Sequence, residues 1–411
     1  MTTSNHISSV TRRSFLAGTG AGALSFTILK PSAISAYAAN EKIRLGMVGC
    51  GGRGNWIGNL FMQNGKYEIT ACADYFKDYT TRFGDRFQVP QEMQFNGLKG
   101  YQRMLDRQSV DAIAIESPPY FHPEQTAAGI EAGVHVYCAK PIAVDVPGCR
   151  TLSECGRHAT EKNLCLLIDF QTRANALYQE ALKRVRDGAL GDFAFGEAYY
   201  HAEVPWERQY EYLRDDPGNP ENRLRAWGLD RVLSGDIITE QNIHTLDVAS
   251  WIMDSEPLQA SGRCSQKVRP YGDCNDNFTV VYDYPDNVGL SFTSRQFEGY
   301  GSHGGINNRM YGSDGVLETS YGGEVLIRGK HAFPGGNTGN IFTDGVIENI
   351  QQFHTNIIEG KFDNPTVEPS VRSNLLTILG RTAAYKNEIV TWNQLLKDNE
   401  KLEADLKGLK I

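Results

Sequence analysis

The feature that most constrains this chain is a glycine-rich turn set directly behind an apolar strand. Ile43 to Val48 reads IRLGMV and runs into Gly49-x-Gly51-x-x-Gly54, after which residues from about Asn55 to Asn64 read as a helix. Gly49 permits a tight turn, Gly51 lets the backbone approach a pyrophosphate, and Gly54 lets the helix pack closely on the strand. Gly52 and Arg53 complete this candidate phosphate-binding turn, which the N-terminus of the helix would face. A second strand, Tyr67 to Ala73, ends in Asp74, an acid placed to accept hydrogen bonds from adenosine ribose hydroxyls and to repel a 2'-phosphate. A chain with 42 glycines produces such spacings by chance, so the weight rests on the order strand, turn, helix, strand, acid. That order predicts a doubly wound parallel sheet binding NAD rather than NADP.

Two more apolar strands follow, Val110 to Ile115 and Val134 to Cys138, separated by a helix from about Pro123 to Ala132. Ligands of such sheets sit beyond the carboxyl ends of the strands, which is where Ser117, His122 and Lys140 fall. Pro141 fixes the backbone beside Lys140, and an apolar strand carries that lysine inward. His122 has two readings, a helix-start histidine satisfied by local backbone or a group of the cofactor pocket.

With 411 residues the chain is long enough for two ordinary domains. Its 41 basic against 49 acidic residues, a formal charge of -8, give no footing for coating nucleic acid. Eight cysteines are dispersed without a Cys-x-x-Cys pair, and the nine histidines include no His-Glu-x-x-His, so no metal site is predicted. Cys264 and Cys274 could bridge, but nothing requires it. The first residues stand apart from the fold. Thr11-Arg12-Arg13-Ser14-Phe15-Leu16 precedes an apolar Gly/Ala-rich run and Ala36-Tyr37-Ala38, which resembles a twin-arginine export signal cleaved after Ala38. A retained anchor is the alternative, though the run is short for a span of about 20 residues. Cleavage would leave 38 basic against 49 acidic residues and no stable membrane insertion. We therefore expect a signal over 1–38, a nucleotide domain over 39–169 and a substrate domain over 170–411, whose last helices pack back on the first domain.

In the second half, Glu240, His244 and Asp247 fall at i, i+4 and i+7, one helix face on which a carboxylate lies a turn from an imidazole. A core histidine on an amphipathic helix would have the same spacing. Alternating runs at Phe193 to His201, Asn277 to Tyr284, Val288 to Arg295, Asn308 to Tyr311, Gly315 to Thr319 and Glu324 to Arg328 predict an open, mainly antiparallel sheet. Helices near Gly345 to Glu359 and Ser370 to Tyr385 complete an α+β domain. Glu203 to Arg225 reads as a long loop over the site, and Tyr199, His201, Trp206 and Tyr210 either stack on a sugar ring or pack in a core.

The glycine turn, Ser117-Pro118 with His122, Gly133-Val134-His135-Val136 and Lys140-Pro141 together resemble the superfamily of glucose-fructose oxidoreductase, inositol dehydrogenase and the MocA rhizopine protein. Leu166 to Arg173 is similar to the segment that leads out of its nucleotide domain. The family carries Glu before the Lys-Pro pair, where this chain has Ala139, and Asp four residues before its acid/base histidine, where this chain has Glu240. The resemblance implies an α/β fold of two domains, homodimers or homotetramers, and catalysis by His244 as base with Lys140 on the same substrate oxygen. Glu240 would hold the imidazole tautomer, while Gln171, Arg173, Asn242 and His201 would orient the hydroxyls of a carbohydrate or polyol. Export adds a condition, because a compartment without a supply of free NAD requires a cofactor that stays bound. Two reactions meet it, oxidation of one sugar coupled to reduction of another carbonyl compound, and a redox-neutral glycosidase cycle of oxidation, elimination and water addition. A non-catalytic NAD-binding protein is the third reading.

Overall fold

The computed structural model describes residues 42–203 and 206–411, so the expected export signal lies outside the described residues. The first sheet is parallel, with order β3-β2-β1-β4-β5-β6. Its strands are β1 (Ile43–Val48), β2 (Tyr67–Asp74), β3 (Gln94–Asn96), β4 (Ala112–Ile115), β5 (His135–Ala139) and β6 (Leu166–Asp169). Both faces of a parallel sheet are covered by helices, so its central strands read as near-continuous apolar runs rather than alternating. Accordingly every residue of β4 (AIAI) and β6 (LLID) is buried. The strand order reverses between β1 and β4, opening a crevice beyond Val48, Asp74 and Ile115.

The second sheet has nine strands in the order β14-β13-β12-β11-β7-β10-β9-β8-β15. They are β7 (Phe193–Ala202), β8 (Gln259–Ser265), β9 (Asn277–Tyr284), β10 (Val288–Gln296), β11 (Gly305–Gly312), β12 (Gly315–Ser320), β13 (Glu324–Gly329), β14 (Phe333–Asn337) and β15 (Val390–Thr391). All pairs are antiparallel except β7 with β10. Here the pattern alternates, as in β9, where Phe278, Val280, Tyr282 and Tyr284 are buried and the intervening residues are not. The buried face packs on the helices Ile243–Met253 and Val367–Lys386.

Two late helices reach back to the first sheet. From the helix Ile341–Glu359, Val346, Ile350, Phe353 and Ile357 share a buried cluster with Leu45, Met47 and Tyr137, and Tyr67 Oη donates to the Ile350 carbonyl at 3.0 Å. Val367–Lys386 lies between the two sheets: Leu375 and Leu379 share a cluster with Val136 and Leu152 on one side and Phe278 and Tyr282 on the other. All eight cysteines, Cys264 and Cys274 included, are free thiols. Among the described residues no helix is long and apolar enough to cross a membrane, and no cluster of His, Cys, Asp or Glu could hold a metal ion.

Candidate active site

The glycine turn separates into three roles once its surroundings are known. Gly49 has φ +95°, and a Cβ there would lie 2.6 Å from the backbone of Glu116 and Ser117. A Cβ on Gly54 would meet the Gly49 carbonyl oxygen at 1.9 Å, so the helix Gly52–Asn64 can approach β1 only with glycine at that place. Gly51 is different. The nearest atom to a Cβ there is a Tyr79 ring carbon at 4.0 Å, and the space it would enter is an open cleft lined by Gly49, Asp74, Glu116, Ser117 and Trp227 among others. The protein itself gives Gly51 no reason to lack a side chain, whereas a bound pyrophosphate does. Asp74 stands at the end of β2 on the same cleft, accepting from Cys50 N–H at 2.7 Å and from Phe76 N–H at 2.9 Å. Burial pushes its carboxyl up to about 6, and these two N–H donors only partly offset it. The cradle, the helix N-terminus and the acid fit an adenine dinucleotide with an unphosphorylated ribose.

Arg53, expected at the cofactor, turns inward instead. Its Nε donates to Glu116 at 2.8 Å and its Nη2 to Asp169 at 2.6 Å, and Asn349 holds the other oxygen of Asp169 at 2.8 Å. Strand register explains the arrangement. Ile115 is opposite Cys138 and Ala139 is opposite Asp169, so Glu116 and Asp169 flank Ala139 on either side. The acid absent from position 139 is thus matched by acids on the two neighbouring strands, bridged by one guanidinium. Burial pushes Glu116 up to about 7, against the pull of Arg53, and its Oε1 is buried with no protein partner. Sequence reading missed Glu116 and Asp169. The signal was an acid at the carboxyl end of an otherwise wholly apolar strand.

Lys140 and the second half converge. Lys140 Nζ donates to the Glu240 carbonyl oxygen at 2.7 Å and to Glu240 Oε1 at 3.2 Å, with both residues buried. Burial lowers the lysine despite this partner, because taking an ammonium out of water outweighs one carboxylate. Four residues on from Glu240, His244 lies in the first turn of the helix Ile243–Met253, edge to face with Tyr321 at 5.4 Å. Its imidazole is held well below the usual histidine range, first by burial and then by the Lys140 and Arg53 charges, so both cations act on the same ring.

Several expected roles change. Glu240 ends the short helix Asp236–Glu240, and the helix is interrupted at Gln241 and Asn242 before Ile243, so Glu240, His244 and Asp247 do not ride one continuous helix. The Glu240 carboxylate is taken by Lys140 and by Gln241 Nε2 at 2.7 Å, and orients the lysine rather than the imidazole. Arg173, expected on substrate hydroxyls, is committed to Asp247 through Nε and Nη2 at 2.8–3.0 Å and stacks on Trp251. His122 does not line the cleft; its two ring nitrogens lie 2.8 Å from the Pro141 carbonyl and 2.7 Å from the Ser117 carbonyl. Two acceptors would suit an imidazolium, but burial drives the proton off, down to about 4, and the ring serves as a strut between two strand-end loops. His201 contacts Thr293 Oγ1 at 3.1 Å on β10 and packs on Tyr199. Both alternate with the buried Ala198 and Tyr200, which places them on the sheet face away from the helices. Tyr210 stacks on Tyr271 at 4.3 Å, and Trp206 packs near Trp227. Ser117 lines the cleft with its hydroxyl on Gln125, while Gln171 and Asn242 are fully buried with both amide atoms unpartnered.

Known proteins resemble this chain in sequence and in fold. Residues 43–170 match the family described as an oxidoreductase family with an NAD-binding Rossmann fold, and residues 178–318 match its C-terminal domain. A glycosyl hydrolase family 109 protein of Solibacter usitatus is 27% identical over 224 residues, 49% of each chain. A 2,7-anhydro-N-acetylneuraminate hydratase of Mediterraneibacter gnavus is 23% identical over 244 residues, 59% of this chain and 58% of that one. The chain thus spans about half the length of the curated relatives it matches. Among solved structures, a levoglucosan dehydrogenase in complex with NADH and levoglucosan superposes with a TM-score of 0.67 at 17% identity, over 86% of this chain and all of that one. Glycine cradle, inward lysine and buried histidine together with two consecutive family matches over most of the described residues mean that the chain belongs to the GFO/IDH/MocA oxidoreductase family.

Proposed function

We propose that this protein is an NAD-dependent oxidoreductase acting on a secondary alcohol of a sugar or cyclic polyol, with the nicotinamide cofactor held tightly. One observation carries the reading: Lys140, from the carboxyl end of β5, bonds the Glu240 carbonyl at 2.7 Å beside the helix that presents His244. NAD bound in the cleft supplies the two-electron acceptor for hydride. The protein's own residues manage the proton. His244, neutral because burial and two nearby cations disfavour its charge, has a ring nitrogen able to take the hydroxyl proton. An ammonium has three donors; Lys140 gives two to Glu240 and keeps the third for the alcohol oxygen, where negative charge develops. The amides of Gln171 and Asn242 are enclosed by protein without a hydrogen-bond partner, which costs about 1–3 kcal/mol for each polar group, and neither residue lines the cleft.

A second reading is favoured by the relatives' names, a glycosyl hydrolase and a hydratase. In a redox-neutral cycle, oxidation at one sugar carbon acidifies its neighbour, the glycosidic substituent leaves, water adds, and the carbonyl is reduced again, for a net hydrolysis. Both readings use the same base and the same lysine. The twin-arginine resemblance of residues 11–16 supports export and a cofactor loaded before it, and homo-oligomers remain part of the proposal.

A panel of free sugars and aryl glycosides separates the two reactions. Acceptor-dependent oxidation supports the first, and aglycone release without an acceptor the second. Lys140→Met should abolish turnover by either route while the purified variant still carries NAD(H). Undiminished turnover would remove the lysine, and with it the proposed mechanism. Breaking the buried ion pair costs about 3–5 kcal/mol, so Lys140→Met should be compared with the doubly neutral Lys140→Met/Glu240→Gln.

A further inference from the structure

The adenosine end of the cleft is not closed by the nucleotide fold alone. Leu224 and Trp227 line it, and they belong to the helix Pro220–Arg225 and the turn behind it, far beyond Asp169. The loop expected over the substrate therefore contributes helices, and one of them walls the cofactor cleft.

That wall is fastened from two sides. Arg225 lies over the Phe76 ring, 3.8 Å from its centroid, and pairs with Asp78 at 2.8 Å, both just past the ribose-binding Asp74. On the other side runs the segment 400–411. Leu409 is buried in one apolar cluster with Phe76, Phe121 and Leu224. Leu98 N–H donates to the Lys410 carbonyl at 2.9 Å, and Lys410 N–H donates to Tyr75 Oη at 3.2 Å. The same Tyr75 hydroxyl donates to Glu221 at 2.7 Å, and Lys410 Nζ approaches Glu221 at 3.4 Å. Tyr75 follows Asp74 directly in the chain, so the residue beside the ribose site is wired to both foreign segments.

We propose that Pro220–Arg225 and residues 400–411 form a clasp over the adenosine half of the dinucleotide, which keeps NAD(H) bound through repeated turnovers. Release requires the wall to part from Phe76 and Tyr75, and residence time in related complexes is governed chiefly by such dissociation steps. The inference rests on the reading of a resident nicotinamide cofactor and adds what retains it. The clasp acts on the cofactor and leaves the chemistry at His244 untouched.

The test follows the NAD(H) content of the full-length purified protein during extended dialysis, measured after acid denaturation. Leu409→Asp puts a charge into the apolar cluster, and Tyr75→Phe removes only the hydroxyl that joins Lys410 to Glu221. We expect Leu409→Asp to shed cofactor at least about tenfold faster than the parent and Tyr75→Phe to shed it measurably faster, with saturating added NAD restoring turnover in both. If Leu409→Asp does not fold, Tyr75→Phe decides alone. Retention in the variants as long as in the parent overturns the clasp and leaves the bound-cofactor reading intact. A parent protein that holds no NAD(H) at all defeats that reading and the clasp with it.

Discussion

Two glycines three positions apart in sequence, Gly51 and Gly54, separate binding from folding at the residue scale. Gly54→Ala drives a Cβ into the Gly49 carbonyl, so we expect a loss of stability of ~2 kcal/mol or more together with loss of cofactor. Gly51→Ala meets nothing closer than 4.0 Å in the protein, so its thermal midpoint should stay near the parent's while NAD affinity falls sharply. A calorimetric scan beside a titration of cofactor-free protein distinguishes them, and equal loss of stability in both would contradict the assignment. Asp74 offers a pH test. Its carboxyl, raised from 3.8 to about 6, must be ionised to accept from ribose hydroxyls, so NAD affinity should rise as pH rises through about 6. For the cofactor-free fold the sign is opposite: a raised acid contributes stability that is full below 3.8 and lost as pH climbs through about 6. Asp74→Asn should flatten the affinity profile and bring NADP closer to NAD; an unchanged preference would show that the ribose is read elsewhere.

At the scale of elements, alternation in β7 assigns neighbours to opposite tasks. Tyr200 faces the helices and donates its hydroxyl to Gln241, which in turn holds Glu240, whereas His201 faces away. Tyr200→Phe should therefore lower kcat by loosening the group that orients Lys140, and His201→Ala should leave KM for the substrate unchanged; a raised KM in the latter would return His201 to the site. The same alternation explains how far sequence could be read. The hairpin of β9 and β10 was legible by that alternation, and β1 and β2 as short apolar runs, because each signal is local and bounded by Gly, Asp or Pro-Asp-Asn. β3 has only three residues, β14 contains Phe-Pro-Gly-Gly-Asn, and β15 has two residues, so these exist by pairing with strands already in place rather than by propensity. In the site, Lys140 and the glycines announced themselves through strand ends and turn chemistry. The partners of Arg53, Arg173 and Glu240 did not, because an ion pair between residues 63, 74 or 100 positions apart leaves no spacing to detect.

For the molecule as a whole, late helices set the cooperativity. Phe353 is wholly buried, 5.7 Å from Tyr137 and 6.5 Å from Tyr67 between ring centroids, in a cluster drawn from both ends of the sequence. Phe353→Ala should cost about 3–5 kcal/mol. Because the helix that carries it covers the first sheet, the loss should appear in cofactor-dependent and cofactor-independent probes at one midpoint. Two separated transitions would mean that the halves melt independently.

That helix also decides where the chain could be divided. A cut after Asp169 separates the two sheets on paper, yet it would strip β1 and β2 of the cover that Ile341–Glu359 provides and leave Tyr67 Oη without its acceptor. Anyone grafting a different second half onto this scaffold would need to treat the transferable nucleotide module as discontinuous, residues 42–169 plus that returning segment.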